Sequence, residues 1–92
     1  MRLLLVVDDI FEFQDGVLHF SPLVANPTLE GVRVGDSLEL RRPHGTAIRT
    51  TLYAFDLPSP ARGQCALSVN KPLTKADIPI GAEIWKVDWD HS

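Results

Sequence analysis

Gly31-Val32-Arg33-Val34-Gly35-Asp36-Ser37-Leu38-Glu39-Leu40-Arg41-Arg42 is the stretch that decides the fold. Glycines at both ends of its first half let the backbone reverse without a Cβ clash. Its second half alternates, with Leu38 and Leu40 on one side and Glu39 and Arg41 on the other, which is the side-chain period of a strand. The stretch therefore predicts a tight turn opening directly into a half-buried strand. The same pattern runs outward from it in both directions.

Upstream, an apolar run from about Leu3 to Phe13 is interrupted or bent at Asp8-Asp9. Asp15-Gly16 then supplies the positive-φ position of a tight turn, and Val17 to Ser21 reads as the returning strand. Two prolines and an asparagine make Pro22 to Thr28 a surface loop. Downstream, Pro43-His44-Gly45-Thr46 is a turn. Ala47 to Leu57 reads as one long strand, with Ile48, Thr50, Leu52 and Ala54 on one face and Arg49, Thr51, Tyr53 and Phe55 on the other. Pro58 to Gln64 is a second loop, and Cys65 to Val69 is a strand. Leu73 to Ile78 forms one helical turn with Thr74 as N-cap, stopped by Pro79. Glu83 to Trp89 is the last strand. Six glycines and seven prolines punctuate the 92 residues, and no stretch has the spacing of a long amphipathic helix. The pattern is that of a small all-β barrel or sandwich. No repeat or linker divides it, so one domain spans residues 1–92, with a short tail at about 90–92.

Composition narrows the function. The chain is 45% hydrophobic and 23% charged, too apolar for disorder. Its mean hydropathy of +0.02 is too polar for a membrane protein. Nine Lys and Arg against twelve Asp and Glu give a net charge of −3, without the positive excess that non-specific nucleic-acid binding needs. One cysteine, Cys65, forms no internal disulfide and fits a reducing compartment. The apolar run at residues 3–7 is too short for a signal peptide or a membrane helix. These features together predict a cytoplasmic protein.

Chemistry is sparse. His19, His44 and His91 are far apart, and Asp88-x-Asp90-His91 reads as a solvated tail, so no metal or cofactor is expected. Asp8-Asp9 reads as a strand bend with one acid binding backbone N–H groups, rather than as a catalytic carboxylate pair. Ser37 and Ser59 sit in turn contexts. Cys65 reads as a small buried hydrophobe without an activating base. Two surface features remain. Arg49, Tyr53 and Phe55, placed on one strand face, have the arginine–aromatic pattern that grips single-stranded RNA, with Arg62 adding to the positive charge. Trp85 reads as core, whereas Trp89 fits equally a core position or a partner-binding patch.

Four pieces in order carry a resemblance. They are Asp9-Ile10-Phe11, then residues 31–40 quoted above, then Arg49-Thr50-Thr51-Leu52, then Leu73-Thr74-Lys75-Ala76-Asp77-Ile78-Pro79-Ile80-Gly81-Ala82-Glu83. This order, from about Val7 to Val87, resembles the second domain of elongation factor Tu and related translational GTPases. In that family an Asp-Val-Phe strand leads to a glycine turn. A Gly-x-hydrophobic-x-hydrophobic-Gly-Asp turn opens the next strand, and a Lys/Arg-x-Asp-Val-x-x-Gly element comes late. The resemblance implies a six-stranded closed or nearly closed β-barrel, which hides strand edges. The chain departs from the family in three places. Gln14-Asp15-Gly16 replaces a Gly-Arg-Gly turn, the Ser21 to Gly31 loop is longer, and no Gly-x-x-x-x-Gly-Lys-Ser/Thr loop is present. Nucleotide binding and hydrolysis therefore do not carry over. In the family this domain contacts the aminoacyl end of tRNA or the ribosome beside neighbouring domains. The sequence also has the look of a small stand-alone bacterial protein built on that barrel.

Three functions follow as expectations. The first is a binding module that recruits a protein partner through Trp89 and the loops at Pro22–Thr28 and Pro58–Gln64. The second is RNA or ribosome association through the Arg49 face. The third is an enzyme using Asp8, Asp9 or Cys65. The absence of a catalytic constellation favours the first.

Overall fold

The computed structural model describes residues 1–59, 63–70 and 72–87. Among them the strands are β1 (Arg2–Val6), β2 (Asp9–Glu12), β3 (Leu18–Ser21), β4 (Val24–Ala25), β5 (Ser37–Arg41), β6 (Ala47–Thr51), β7 (Ala54–Ser59), β8 (Gln64–Val69) and β9 (Glu83–Lys86). They form two antiparallel sheets. Sheet I has the order β1-β9-β5-β6, and sheet II the order β2-β3-β8-β4, with β7 also paired to β8. Neither sheet closes on itself. Two short 3-10 turns, Asn26–Leu29 and Lys75–Asp77, are the only helical segments among the described residues. No helix there is long and apolar enough to cross a membrane.

The deciding stretch behaves as its residues dictate. Gly35 adopts φ +92°, and Asp36 Oδ2 accepts a 2.8 Å hydrogen bond from the Arg33 N–H. The chain then enters β5, the strand paired on both sides, to β6 and to β9. Leu38 and Leu40 are buried together with Ile84 from sheet I, and the same core holds Ile10, Phe20, Leu67 and Val69 from sheet II. Each such side chain stabilises the fold by ~1.5–3 kcal/mol when fully buried. The Asp15-Gly16 turn also forms, with Gly16 at φ +82° and the Val17 N–H donating to Asp15 Oδ1.

Among the described strands the chain passes between the sheets four times, and two of these crossings, β1 to β2 and β6 to β7, are each made by a pair of adjacent residues. Val7 exchanges 2.8 Å hydrogen bonds with the Gly81–Ala82 backbone on the sheet I side, while the next N–H, Asp8, donates to the Ser21 carbonyl in sheet II. Leu52 likewise exchanges hydrogen bonds with Gly35 and Asp36, while the next N–H, Tyr53, donates to the Ser68 carbonyl. The first crossing is the bend that the sequence predicts at Asp8-Asp9, where Asp9 Oδ1 accepts from the Ile10 N–H.

The crossing from β6 to β7 corrects the sequence reading. Ala47 to Leu57 is not one strand. It is β6 in sheet I and β7 in sheet II, parted at Leu52-Tyr53. The proposed loops also carry strand. Val24–Ala25 pairs with Cys65 and Gln64, because Val24 and Leu29 are drawn into the core. Strand β7 extends through Pro58 to Ser59, with its register shifting between Asp56 and Ser59, the kind of irregularity at which proline's missing N–H is tolerated. In β1 a bulge between Leu3 and Leu5 inserts Leu4. Leu4 and Leu5 are consequently both buried, which a strict alternation does not allow. At Lys75–Asp77, Thr74 is the N-cap, as its position predicts, and a capping box joins it to Asp77. The Asp77 carboxylate accepts from both the N–H and the Oγ1 of Thr74.

Candidate functional site

The outer face of sheet I carries a charged row. Pairing aligns Leu3 with Trp85, Trp85 with Glu39, and Glu39 with Arg49. Glu39 accepts from Arg41 Nε at 2.6 Å and from Arg49 Nε at 3.0 Å. These two guanidinium groups hold its carboxyl below the usual range. The Arg41 guanidinium also lies 4.5 Å over the Trp85 ring, a cation–π contact, and Trp85 Nε1 donates to Glu83 Oε1. Trp85 thus stands on the outer face, not in the core as its sequence context suggests. Ile84 takes the inward position, and the strand period turns Trp85 outward. A basin of about 420 Å³ adjoins this face, lined by Arg41, Arg42, Glu39 and Glu83 among others. Arg41 and Glu39 are paired with each other, Arg42 donates to the Asp77 carbonyl and to Thr46, and Glu83 accepts from Trp85.

The outer face of sheet II is different. Pairing aligns Phe11, His19, Ser68 and Ala54 across four strands. His19, only 6% exposed, and Ser68, fully buried, are the buried polar residues among those described. The Ser68 hydroxyl lies 2.7 Å from Asp56 Oδ2 and 3.2 Å from the Ala54 carbonyl, as donor to either. Asp56 Oδ2 also lies 3.4 Å from His19 Nδ1, but Nδ1 makes no hydrogen bond. The order of groups is serine, carboxylate, imidazole. A nucleophilic serine needs the imidazole on its hydroxyl, so this cluster lacks that arrangement.

Phe13 covers His19, with ring centroids 4.2 Å apart. Phe13 itself is 47% exposed, Phe11 49% and Tyr53 48%. An open basin of about 600 Å³ lies beside Phe13, lined by Glu12, Phe13, Gln14 and Asp15. The strands of sheet II carry Asp9, Glu12 and Asp56 and no Lys or Arg. Asp8 and Asp15 extend this acidic character on either side of β2. The strands of sheet I instead carry Arg2, Arg41, Arg49 and Lys86 beside Glu39 and Glu83. Among their strand residues, sheet I is thus the more basic and sheet II the acidic one.

No family model, curated protein or solved structure matches the chain. Its site is read from geometry alone.

The structure does not assemble the arginine–aromatic face expected from the sequence. Arg49 is ion-paired in sheet I, whereas Tyr53 and Phe55 follow the crossing into sheet II, where Phe55 lies across from Leu67. Arg62 and Trp89, and with them part of the Pro58–Gln64 loop, lie outside the described residues. Cys65 is buried, and burial pushes its thiol upward, away from nucleophilic character. Asp9 serves the bend through its hydrogen bond to Ile10. No group of three metal-ligating side chains occurs among the described residues.

Sequence reasoning missed His19, Asp56 and Ser68, and also Phe11 and Phe13. The signal was weak but present. His19 and Ser68 are polar residues inside apolar strand runs, and Asp9, Phe11 and Phe13 share one strand face by their spacing of two. The His19–Ser68 register that joins the first group is a long-range pairing.

Proposed function

We propose that this chain is a binding module that engages a protein partner through the outer face of sheet II. The observation that carries this reading is the exposure of Phe11 and Phe13 on one face of the molecule. Exposed aromatic residues are enriched in the centres of protein interfaces, where they bury large area at low entropic cost. The acidic setting of these rings repels phosphate, which favours a protein over RNA. We read the two sheets as halves of a six-stranded, nearly closed barrel. The paired crossings at Val7-Asp8 and Leu52-Tyr53 support this, since each carries one chain segment from an outer strand of sheet I into sheet II. The motif order shared with the second domain of translational GTPases supports the same barrel. The lone buried Cys65 supports a cytoplasmic setting.

The test is capture of partners from a lysate of the source cells by the tagged chain, with and without nuclease. A discrete protein retained after nuclease, lost on Phe11→Ser and kept on Arg49→Ala, supports the reading. RNA or ribosomal proteins lost with nuclease and on Arg49→Ala would replace it with a translation-associated module.

A further inference from the structure

We propose that the partner segment docking on the outer face of sheet II is an extended, lysine- or arginine-rich stretch, its apolar side chains packed on Phe11 and Phe13. This inference rests on the reading of that face as a protein interface and adds the chemistry of what it takes. The argument is charge complementarity. Asp9, Phe11 and Phe13 project from one side of β2 and the turn that follows it. Asp56, on the same outer face, has a side chain one-third exposed. Glu12 and Asp15 line the basin beside Phe13, and no Lys or Arg lies in any strand of this sheet.

The distribution is specific to this side of the molecule. On sheet I the carboxylate of Glu39 is held between two arginines, and Trp85 already carries a cation on its ring. On sheet II the aromatic rings have carboxylates around them, and no Lys or Arg lies in its strands. A basic side chain arriving here meets carboxylates and exposed aromatic rings, so ion pairing and cation–π attraction act together. An acidic segment meets like charge at Asp9, Glu12, Asp15 and Asp56. An alternating segment suits the face because successive side chains of an extended chain point to opposite sides, placing apolar groups on the rings and cations toward the rim.

The probes are a short synthetic peptide alternating Lys and Leu and its counterpart alternating Glu and Leu, titrated into the isotope-labelled full chain and followed by amide chemical shifts. The expected result is that the Lys peptide perturbs residues around Phe11 to Gln14 and His19, binds less tightly as salt rises, and the Glu peptide does not bind. The double variant Glu12→Lys with Gln14→Lys reverses the rim charge without removing Asp9, Asp15 or Asp56, which make structural hydrogen bonds. It is expected to weaken binding by about tenfold or more while preserving the wild-type spectrum elsewhere. Equal binding of both peptides, binding of neither, or shifts confined to sheet I would overturn the inference. So would an oligouridine probe that perturbs the sheet II face, or a self-association that occupies it without peptide. Loss of a captured partner on Phe11→Ser without Lys-peptide binding overturns the basic-segment inference and leaves the interface reading standing. Unchanged capture on Phe11→Ser overturns the interface reading itself.

Discussion

His19 Nδ1 lies 3.4 Å from Asp56 Oδ2, on the face of sheet II that points away from the core, yet His19 is buried. A polar ring in that position would ordinarily be solvated. Here Phe13 stacks on it, and its near partner is occupied by the Ser68 hydroxyl. The cluster is therefore unequal in its parts: Ser68 is satisfied and His19 Nδ1 is not.

That inequality predicts opposite behaviour for two substitutions. Ser68→Ala removes a buried hydroxyl whose partners include a carboxylate, and is expected to cost ~1–2 kcal/mol. His19→Phe removes a ring nitrogen that has no hydrogen bond, keeps a ring against Phe13, and is expected to change stability by less than ~1 kcal/mol. Urea unfolding of the two variants checks both. A large loss for His19→Phe with none for Ser68→Ala would reverse the account.

Acid sensitivity should trace in part to Glu39. Its ordinary value is 4.5 and the two arginines depress it in the folded chain. A group depressed on folding adds stability above its unfolded value, and that stability is lost as pH falls through the folded value. The urea midpoint is therefore expected to drop as pH is lowered below about 4.5, and Glu39→Gln should flatten that decline. Asp77, depressed by its hydrogen bonds from Thr74, adds a second component at still lower pH that Glu39→Gln leaves intact.

Gly35 sits at φ +92° with open space where a Cβ would be. Gly35→Ala therefore meets no clash, only the cost of a left-handed backbone for an L-residue, about 1–2 kcal/mol. Thermal unfolding should show a lower midpoint with unchanged far-ultraviolet circular dichroism. A midpoint equal to wild type would mean that this turn relaxes freely.

Cys65 should be slow to react with a thiol reagent in the native chain. Its side chain is buried in the core, and desolvation with the nearby Asp56 charge raises its pKa. Both effects reduce thiolate at the surface. Labelling is expected to accelerate sharply in urea. Rapid native labelling would show that β8 opens without global unfolding.

Much of this was legible along the chain. The turn at Gly31–Asp36, the alternation of β5, the Asp15-Gly16 turn and the bend at Asp8-Asp9 all follow from local rules. Positive φ requires glycine, and a half-buried strand requires every second side chain to be apolar. Cys65 in an apolar run was readable as buried for the same reason. Alternation misled at Ala47 to Leu57, because the apolar pattern continues smoothly through Leu52-Tyr53 while the hydrogen bonds change sheets there. It misled again at Leu4, where a bulge breaks the period, and at Trp85, whose large ring suggested a core role that Ile84 fills instead.

By itself, then, the amino-acid order determined an all-β domain, the places where it turns, and which faces of its central strand are apolar. These are contacts between residues a few positions apart, and backbone stereochemistry settles them. Only the tertiary structure decided that Arg49 parts company with Phe55, that His19 meets Asp56 and Ser68, and that charge divides between two sheets. Those relationships depend on strand register and sheet order. Both are set by how the whole core packs, and no local segment encodes them.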